Sequence, residues 1–269
     1  MSNPSSLTGC SESTSPNTSR SQSNAIPSSL GSRIAACRQW IVDFFFPLRC
    51  FGCECEGTLA CAACLDTLPE REYQECPICR RPYQKNGATC RDCRRQTALD
   101  GLFIARPYRH RLLQKLVFAL KYRFIEAAAD PIASLLAKSI AHHPFPLPDI
   151  VIPVPLHTRR LRFRGFNQAE MIAQKLMSQL LPGSPIPIQT DLLQRVRFTK
   201  PQMKTDSKTE RQANLSSAFI APLETAGPIV GKYIWLIDDV ATTGTTLDEC
   251  ARVLKAAGAK IVWGVVVAR

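Results

Sequence analysis

Three stretches of the chain place apolar residues at helical spacing, and three others run apolar without interruption. From His110 to Tyr122, Leu112, Leu113, Leu116, Val117 and Leu120 recur along one face with Arg and Lys between them, which predicts a core-facing helix. A second helix is predicted from Asn167 to Leu181 and a third from Leu247 to Ala257, which Gly258 stops. The apolar runs are Asp149 to Pro155, ended by prolines, Lys232 to Ile237, and Lys260 to Ala268. Runs of that length between turn signals read as buried strands.

The last strand, helix and strand follow one another closely, with a predicted turn from Asp239 to Thr246. Strand, loop, helix, strand is the unit of a parallel sheet, so the fold class is α/β with helices flanking the sheet. Thr199 to Leu215 has no periodicity and holds Lys200, Gln202, Lys204, Lys208 and Arg211, the signature of a mobile polar loop.

At 269 residues and 45% apolar, the chain is long enough for one sizeable core and a small satellite domain. The net charge of +12 is concentrated in the middle: residues 101–200 carry 15 Lys and Arg against 5 Asp and Glu. Such a surface favours phosphorylated small molecules, nucleic acid or acidic headgroups and does not choose among them. No apolar run approaches the roughly 20 residues of a membrane span.

Twelve serines in the first 32 residues, with little to bury, read as a disordered tail. Leu-Thr-Gly-Cys10 resembles a lipoprotein cleavage box, but Met1 to Ser6 supplies no apolar segment before it, so the match is read as chance. Residues 33–49, with Trp40, Ile41, Val42, Phe44, Phe45 and Phe46 interrupted by Arg38 and Asp43, read as a packed helix rather than a membrane anchor.

Eleven of the twelve cysteines precede residue 94, and eight form the pairs Cys50/Cys53, Cys61/Cys64, Cys76/Cys79 and Cys90/Cys93. A two-residue gap lets one tight turn aim two thiolates at an ion about 2.3 Å away, and two such turns complete a tetrahedral zinc site. Redox pairs normally occur once beside a helix, and disulfides need an oxidising compartment for which no secretion signal is visible. Two structural Zn2+ sites over residues 50–97, in a cytoplasmic protein, are therefore expected. The spacing favours sequential grouping, Cys50, Cys53, Cys61 and Cys64 on one ion and Cys76, Cys79, Cys90 and Cys93 on the other, with a crossed arrangement left open. Cys55 stands two positions from a ligand and competes with it, while Cys10, Cys37 and Cys250 have no partner spacing. Residues 50–100 carry 7 basic against 8 acidic groups, and eight thiolates with two Zn2+ make the ribbon more acidic still, about −5. Such a ribbon reads as a lid or docking module rather than a nucleic-acid grip.

Between the first strand and the helix at 167 lies His157-Thr-Arg-Arg-Leu-Arg-Phe-Arg-Gly-Phe-Asn-Gln168, with Arg159, Arg160, Arg162 and Arg164 within six residues. A charge run is usually a solvated loop, but open α/β sheets bind ligands at the carboxyl ends of their strands, which favours an anion here. Asp238-Asp239 followed by Thr242-Thr-Gly-Thr-Thr246 is more specific. Amides, hydroxyls and a helix dipole suit a phosphate; the acids suit sugar hydroxyls or a divalent metal escorting a diphosphate. No Gly-x4-Gly-Lys-Ser/Thr accompanies them, so a P-loop reading is weak.

Ile234 to Thr246 resembles the phosphoribosyl pyrophosphate (PRPP) motif of type I phosphoribosyltransferases. Together with Cys50-x-x-Cys53, Leu120-Lys-Tyr-Arg123, Val154-Pro-Leu-His157, Arg164-Gly-Phe-Asn-Gln-Ala169, Pro201-Gln202, Glu210-Arg211 and Asn214-Leu215, it makes the chain from Cys50 onward similar to the ComF family, a competence-associated group. That resemblance implies a double zinc ribbon before a type I phosphoribosyltransferase-like domain at 98–269. It implies that Asp238 and Asp239 contact ribose hydroxyls and that Ala241, Thr242, Thr243, Gly244, Thr245 and Thr246 hold the 5-phosphate. Pro155, Leu156, His157, Arg159, Arg160, Arg164 and Gly165 would form the pyrophosphate loop, Gln202, Lys208 and Arg211 the closing loop, and Mg2+ would bridge pyrophosphate and ribose.

One departure stands out. Purine-base relatives carry an acid three residues after the second acid of the motif, where it serves as general base, and here that position is Thr242, which accepts no proton near neutral pH. Either the acceptor needs no such base or the domain binds PRPP or another phosphate without turnover. The alternative function is an accessory of DNA uptake that binds single-stranded DNA, a competence helicase or DNA-processing proteins, with Phe163 and Phe166 stacking bases beside the arginines. A third reading is an interaction scaffold that has lost catalysis.

Overall fold

The computed structural model describes residues 47–83, 87–143, 145–197, 218–222 and 227–269. The serine-rich segment 1–32, most of the apolar stretch 33–49, Cys10, Cys37 and the loop carrying Gln202, Lys208 and Arg211 lie outside them. The chain divides into two compact units, Met1–Leu59 and Ala60–Arg269.

In the first unit the described residues form one knuckle. Cys50 N donates to Cys55 O and Glu54 N to Cys50 O, each at 2.9 Å, and Arg49 bridges Glu56 as an antiparallel pair. Glu54 takes a left-handed conformation there, φ 65°.

The second unit opens with a short helix, α1 (Ala62–Asp66), and a hairpin of β1 (Gln74–Glu75) and β2 (Pro82–Tyr83). Its main sheet has four parallel strands in the order β3 (Gly101–Arg106), β8 (Ile261–Ala268), β7 (Tyr233–Val240) and β4 (Ile150–Pro153). Between β3 and β4 run α2 (Arg111–Tyr122) and α3 (Ala129–Ala141); α4 (Thr158–Arg164) and α5 (Gln168–Leu180) follow β4. A two-residue hairpin pairs β5 (Gln194–Arg195) with β6 (Phe219–Ile220), and α6 (Thr245–Ala256) connects β7 to β8. Among the described residues no helix is long and apolar enough to cross a membrane.

Both faces of the sheet are covered, as a parallel sheet requires. On one face Ile234 and Leu236 of β7, Val262 and Val266 of β8 and Leu102 and Ile104 of β3 pack with Leu247, Cys250, Ala251 and Leu254 of α6. Trp235 is fully buried; it stacks on Phe145 at 5.0 Å, and its Nε1 donates to Pro146 O at 3.1 Å. Gly264 decides how closely α6 approaches. A Cβ there would stand 2.8 Å from Leu102 Cδ1 and 3.1 Å from Leu247 Cδ1, so glycine lets the first turn of α6 settle onto β8.

Two expectations change. The strand expected to end at Ile237 continues to Val240, because the pairing with β8 runs on through Asp238 to Val266 and Val240 to Ala268. Asp239, expected to open the turn, therefore sits on the strand beside Asp238. The arginine-rich stretch expected as a loop is the helix α4: His157 caps it, its Nδ1 accepting from Arg159 N at 3.1 Å, and Gly165 ends it at φ 84°. Left-handed backbone of that kind is easy for glycine and costly for most other residues.

The cysteine-rich segment of the second unit is fixed to the free edge of β3. The buried Gln74 side chain mimics a strand: Ile104 N donates to its Oε1 at 2.9 Å and its Nε2 donates to Ile104 O at 3.0 Å. Leu102 N donates to Gly87 O at 2.9 Å, and Ala88 bridges Gly101.

Candidate functional site

β4 and β7 are neighbours, with Pro153 opposite Ile237 and Val154 N donating to Ile237 O at 2.9 Å. The segments leaving their carboxyl ends, 155–165 and 241–246, consequently rise side by side where open sheets bind ligands. The sequence-predicted phosphate residues and the predicted pyrophosphate residues thus meet at one end of the sheet.

Asp238 is partly exposed and Asp239 is buried. Asp238 Oδ1 accepts from Asp239 N at 2.9 Å, and Asp239 Oδ1 accepts from Val240 N at 2.6 Å. Two adjacent carboxylates in such a place repel, and a cation relieves them. Lys121 at the end of α2 puts Nζ 2.9 Å from Asp239 Oδ1. Burial works against its charge, but Asp239 and Asp238 outweigh that and hold the ammonium above its ordinary value. Asp238 goes the other way: burial first, then the neighbouring carboxylate, push its carboxyl up to about 7.

After β7 the backbone turns through Gly244, at φ 80°, and enters α6. Gly244 offers the helix no capping side chain; Thr245 N donates to Thr243 Oγ1 at 3.4 Å, and the next amides of the first turn of α6, which have no carbonyl one turn back, can face a ligand. Thr243 Oγ1 and Thr245 Oγ1 stand 2.8 Å apart beside them. Thr242 is exposed, and its carbonyl accepts from Arg80 Nη2 at 3.1 Å.

On the other side, Asn167 locks the segment down: its Oδ1 accepts from Ala169 N and its Nδ2 donates to Val154 O, both at 3.1 Å. Arg164 Nη1 donates to Gln168 Oε1 at 2.9 Å. Burial, with Arg195 and Arg164 adding repulsion, pulls the Arg160 guanidinium below its usual value. Crowded guanidinium groups are relieved by an anion. A cavity of about 490 Å³ opens here, lined by Pro155, His157, Thr158, Asn167, Gln194 and Arg195 among others. Arg195, whose guanidinium burial pulls below its ordinary value while the Asp238 carboxylate works the other way, is not foreseen from the sequence, nor are the roles of Lys121 and Arg80.

The expected metal ligands assemble in the sequential grouping. The sulfur atoms of Cys50, Cys53, Cys61 and Cys64 lie within 4.8 Å of one another, as do those of Cys76, Cys79, Cys90 and Cys93, with Cys79 and Cys90 at 3.8 Å. Burial resists ionisation of Cys76, but nearby backbone donors from Cys90, Cys79 and Ile78 outweigh it and bring its thiol down to about 7. Four sulfurs converging within backbone N–H groups fit a tetrahedral zinc ion, which would close each pair of turns and stand in for an apolar core. Cys55 is outside both clusters, and Cys250 is buried in the core, where its thiol is held well above the ordinary value.

Residues 165–269 match the phosphoribosyl transferase domain family. Competence protein F of Haemophilus influenzae is 30% identical over 231 residues, which cover 82% of this chain and 97% of that protein. DNA utilization protein YhgH of Salmonella typhi is 31% identical over 206 residues, 75% of this chain and 86% of the relative, and competence protein ComFC of Bacillus subtilis 29% over 204 residues, 72% and 77%. The glutamine PRPP amidotransferase of B. subtilis overlays 52% of this chain and 26% of its own with a TM-score of 0.32 at 20% identity, too loosely to carry weight. The two four-cysteine clusters, the phosphoribosyl transferase domain and relatedness to competence protein F over most of the chain together show that this protein belongs to the ComF family.

Proposed function

We propose that this protein binds PRPP, or another ligand built on ribose 5-phosphate, at the carboxyl ends of β4 and β7. The observation that carries the reading is the sequence of groups along one short path: Asp238 and Asp239 at the end of β7, then the Thr243 and Thr245 hydroxyls and the first-turn amides of α6 beyond Gly244, which supplies no capping side chain. Carboxylates accept from ribose hydroxyls, while amides and the helix dipole take the 5-phosphate. The guanidinium groups of Arg159, Arg160 and Arg164 would receive the pyrophosphate of PRPP, and Mg2+, which Asp238 and Asp239 would help to hold, would offset part of its charge. Pro155, Leu156, His157 and Gly165 would shape that segment, and Gln202, Lys208 and Arg211 would close over it.

The proposal stops at binding. Thr242 occupies the place of a general base and accepts no proton near neutral pH, so transfer needs an acceptor that reacts without one. PRPP with Mg2+ should raise the thermal midpoint of the wild-type protein in a saturable way. It should leave that of the Asp238→Asn/Asp239→Asn variant unchanged; an equal rise in both would refute the assignment of the acids.

A second reading, compatible with the first, rests on exposed aromatics. Phe163 is 78% exposed, Tyr122 61% and Phe118 51%. Phe118 lies 5.1 Å from Tyr122 and Phe124 5.5 Å from Phe163, with the Arg123 guanidinium 5.9 Å over Phe118. Rings of this kind beside Arg159, Arg160, Arg162 and Arg164 suit stacking of unpaired bases and phosphate contacts. Two relatives are called DNA utilization and competence proteins, which favours single-stranded DNA, or a protein that handles it, as the partner. Phe163→Ala should weaken binding of an oligothymidine severalfold without altering the response to PRPP; unchanged binding would remove this reading.

A further inference from the structure

The second four-cysteine knuckle lies against the loop that precedes α6, and five hydrogen bonds tie its segment to that loop, to α6 and to Arg269. Arg80, the residue after Cys79, donates from Nη2 to Thr242 O at 3.1 Å. Asp248, in the first turn of α6, takes Thr97 Oγ1 at 2.5 Å and Ala98 N at 2.7 Å. Arg252 Nη2 donates to Gln96 O at 3.2 Å, and Arg269 Nη2 to Pro77 O at 2.9 Å. Between the two parts is a cavity of about 190 Å³ lined by Pro77, Ile78, Gln96, Thr243, Gly244 and Thr245 among others. Pro77 and Ile78 are the two residues between Cys76 and Cys79, so one wall of the cavity is the metal-binding turn itself.

Arg80 is unusual in its backbone. It holds φ 60°, where a residue with a Cβ is strained and glycine is not. Glu54 has the same conformation after Cys53, so the turn belongs to the Cys-x-x-Cys knuckle. What sets Arg80 apart is its reach to Thr242, the first residue of the Thr-Thr-Gly-Thr-Thr loop.

From this geometry we infer that the Cys76/Cys79/Cys90/Cys93 module is a wall of the ribose-phosphate site, with Arg80 as a positioning residue that holds the 242–246 loop, so that phosphate affinity is linked to closure of the knuckle by metal. The inference rests on the ribose-phosphate reading above. Arg80 acts through the Thr242 carbonyl: by fixing that peptide it fixes the direction of the amides that follow. Linkage is reciprocal, so a phosphomonoester seated in the loop holds the knuckle closed as much as the knuckle holds the loop.

The test uses the zinc-loaded full chain, ribose 5-phosphate and PRPP as probes, and Arg80→Gly as the variant. Glycine relieves the left-handed strain, so a merely structural Arg80 predicts an unchanged or higher thermal midpoint and unchanged binding. The inference predicts an undiminished midpoint together with ribose 5-phosphate binding weakened about tenfold, the scale of one hydrogen bond to a charged group in a solvent-exposed setting. It also predicts that ribose 5-phosphate slows zinc release to a chromogenic chelator in the wild type and not in Arg80→Gly. Wild-type binding matched by Arg80→Gly, with equal protection of zinc, overturns the inference and leaves the ribose-phosphate reading standing. A wild type that binds neither probe overturns both.

Discussion

Lys121 and Asp239 form an ion pair at 2.9 Å between the last turn of α2 and the end of β7, with the lysine side chain 25% and the aspartate 7% exposed. Removing one partner of such a pair leaves an uncompensated charge in a place where water reaches it poorly. Lys121→Met is therefore expected to lower stability by about 2 kcal/mol in urea unfolding, below the range for fully buried pairs because Lys121 keeps some solvent contact. Lys121→Met combined with Asp239→Asn should cost clearly less than the two separate losses added together. Full additivity would show that the pair contributes nothing.

The elevated carboxyl of Asp238 makes stability depend on pH. An unfolded aspartate titrates near 4, so between roughly pH 4 and 7 the folded chain holds a proton that the unfolded chain has released. Binding more protons when folded means that stability falls as pH rises through this window and levels off above it. Asp238→Asn should flatten that descent and be the more stable protein at pH 7.5. Denaturation midpoints measured from pH 4.5 to 8 decide the matter, and an equal slope in both proteins would contradict the assignment.

The two sulfur clusters predict two zinc ions per chain. Cys79→Ser should reduce the metal content measured by plasma mass spectrometry to about one, and Cys55→Ser should leave it unchanged. Loss of metal from Cys55→Ser would mean that Cys55, not one of the paired residues, serves as a ligand.

Gly264→Ala should destabilise by roughly 1–3 kcal/mol, because the added methyl would stand 2.8 Å from Leu102 Cδ1 and 3.1 Å from Leu247 Cδ1. The displaced group is the first turn of α6, so ribose 5-phosphate affinity should fall with it. A variant of native stability would mean that Leu102 and Leu247 find other rotamers.

Much of this arrangement was legible in local pattern. Cysteine spacing gave the two clusters and their order, apolar runs gave three of the four sheet strands, and the Asp-Asp and Thr-Thr-Gly-Thr-Thr pair marked one end of the sheet. The arginine stretch reads as a loop because charge hides helical spacing, although His157 before it and Gly165 after it are a cap and a stop. Asp239 reads as the start of a turn because apolar character ends at Ile237, whereas the ladder to β8 continues to Val240. Arg80 and Arg195 leave no such signal, and Lys121 is marked only as part of Leu120-Lys-Tyr-Arg123, with no role attached. Lys121 lies on an ordinary amphipathic helix and Arg80 in a cysteine turn, and only the folded chain brings them to Asp239 and Thr242. Long-range pairing of that kind has no local periodicity to betray it.

The central claim, that the ends of β4 and β7 form a ribose-phosphate site, is tested most directly by titration calorimetry of the zinc-loaded protein with PRPP and Mg2+. The account predicts saturable heat with one site per chain, lost in Asp238→Asn/Asp239→Asn. Below pH 7 the binding enthalpy should also change with buffer ionisation enthalpy, because Asp238 gives up its proton as the ligand settles. No heat at millimolar PRPP from folded wild-type protein would contradict it.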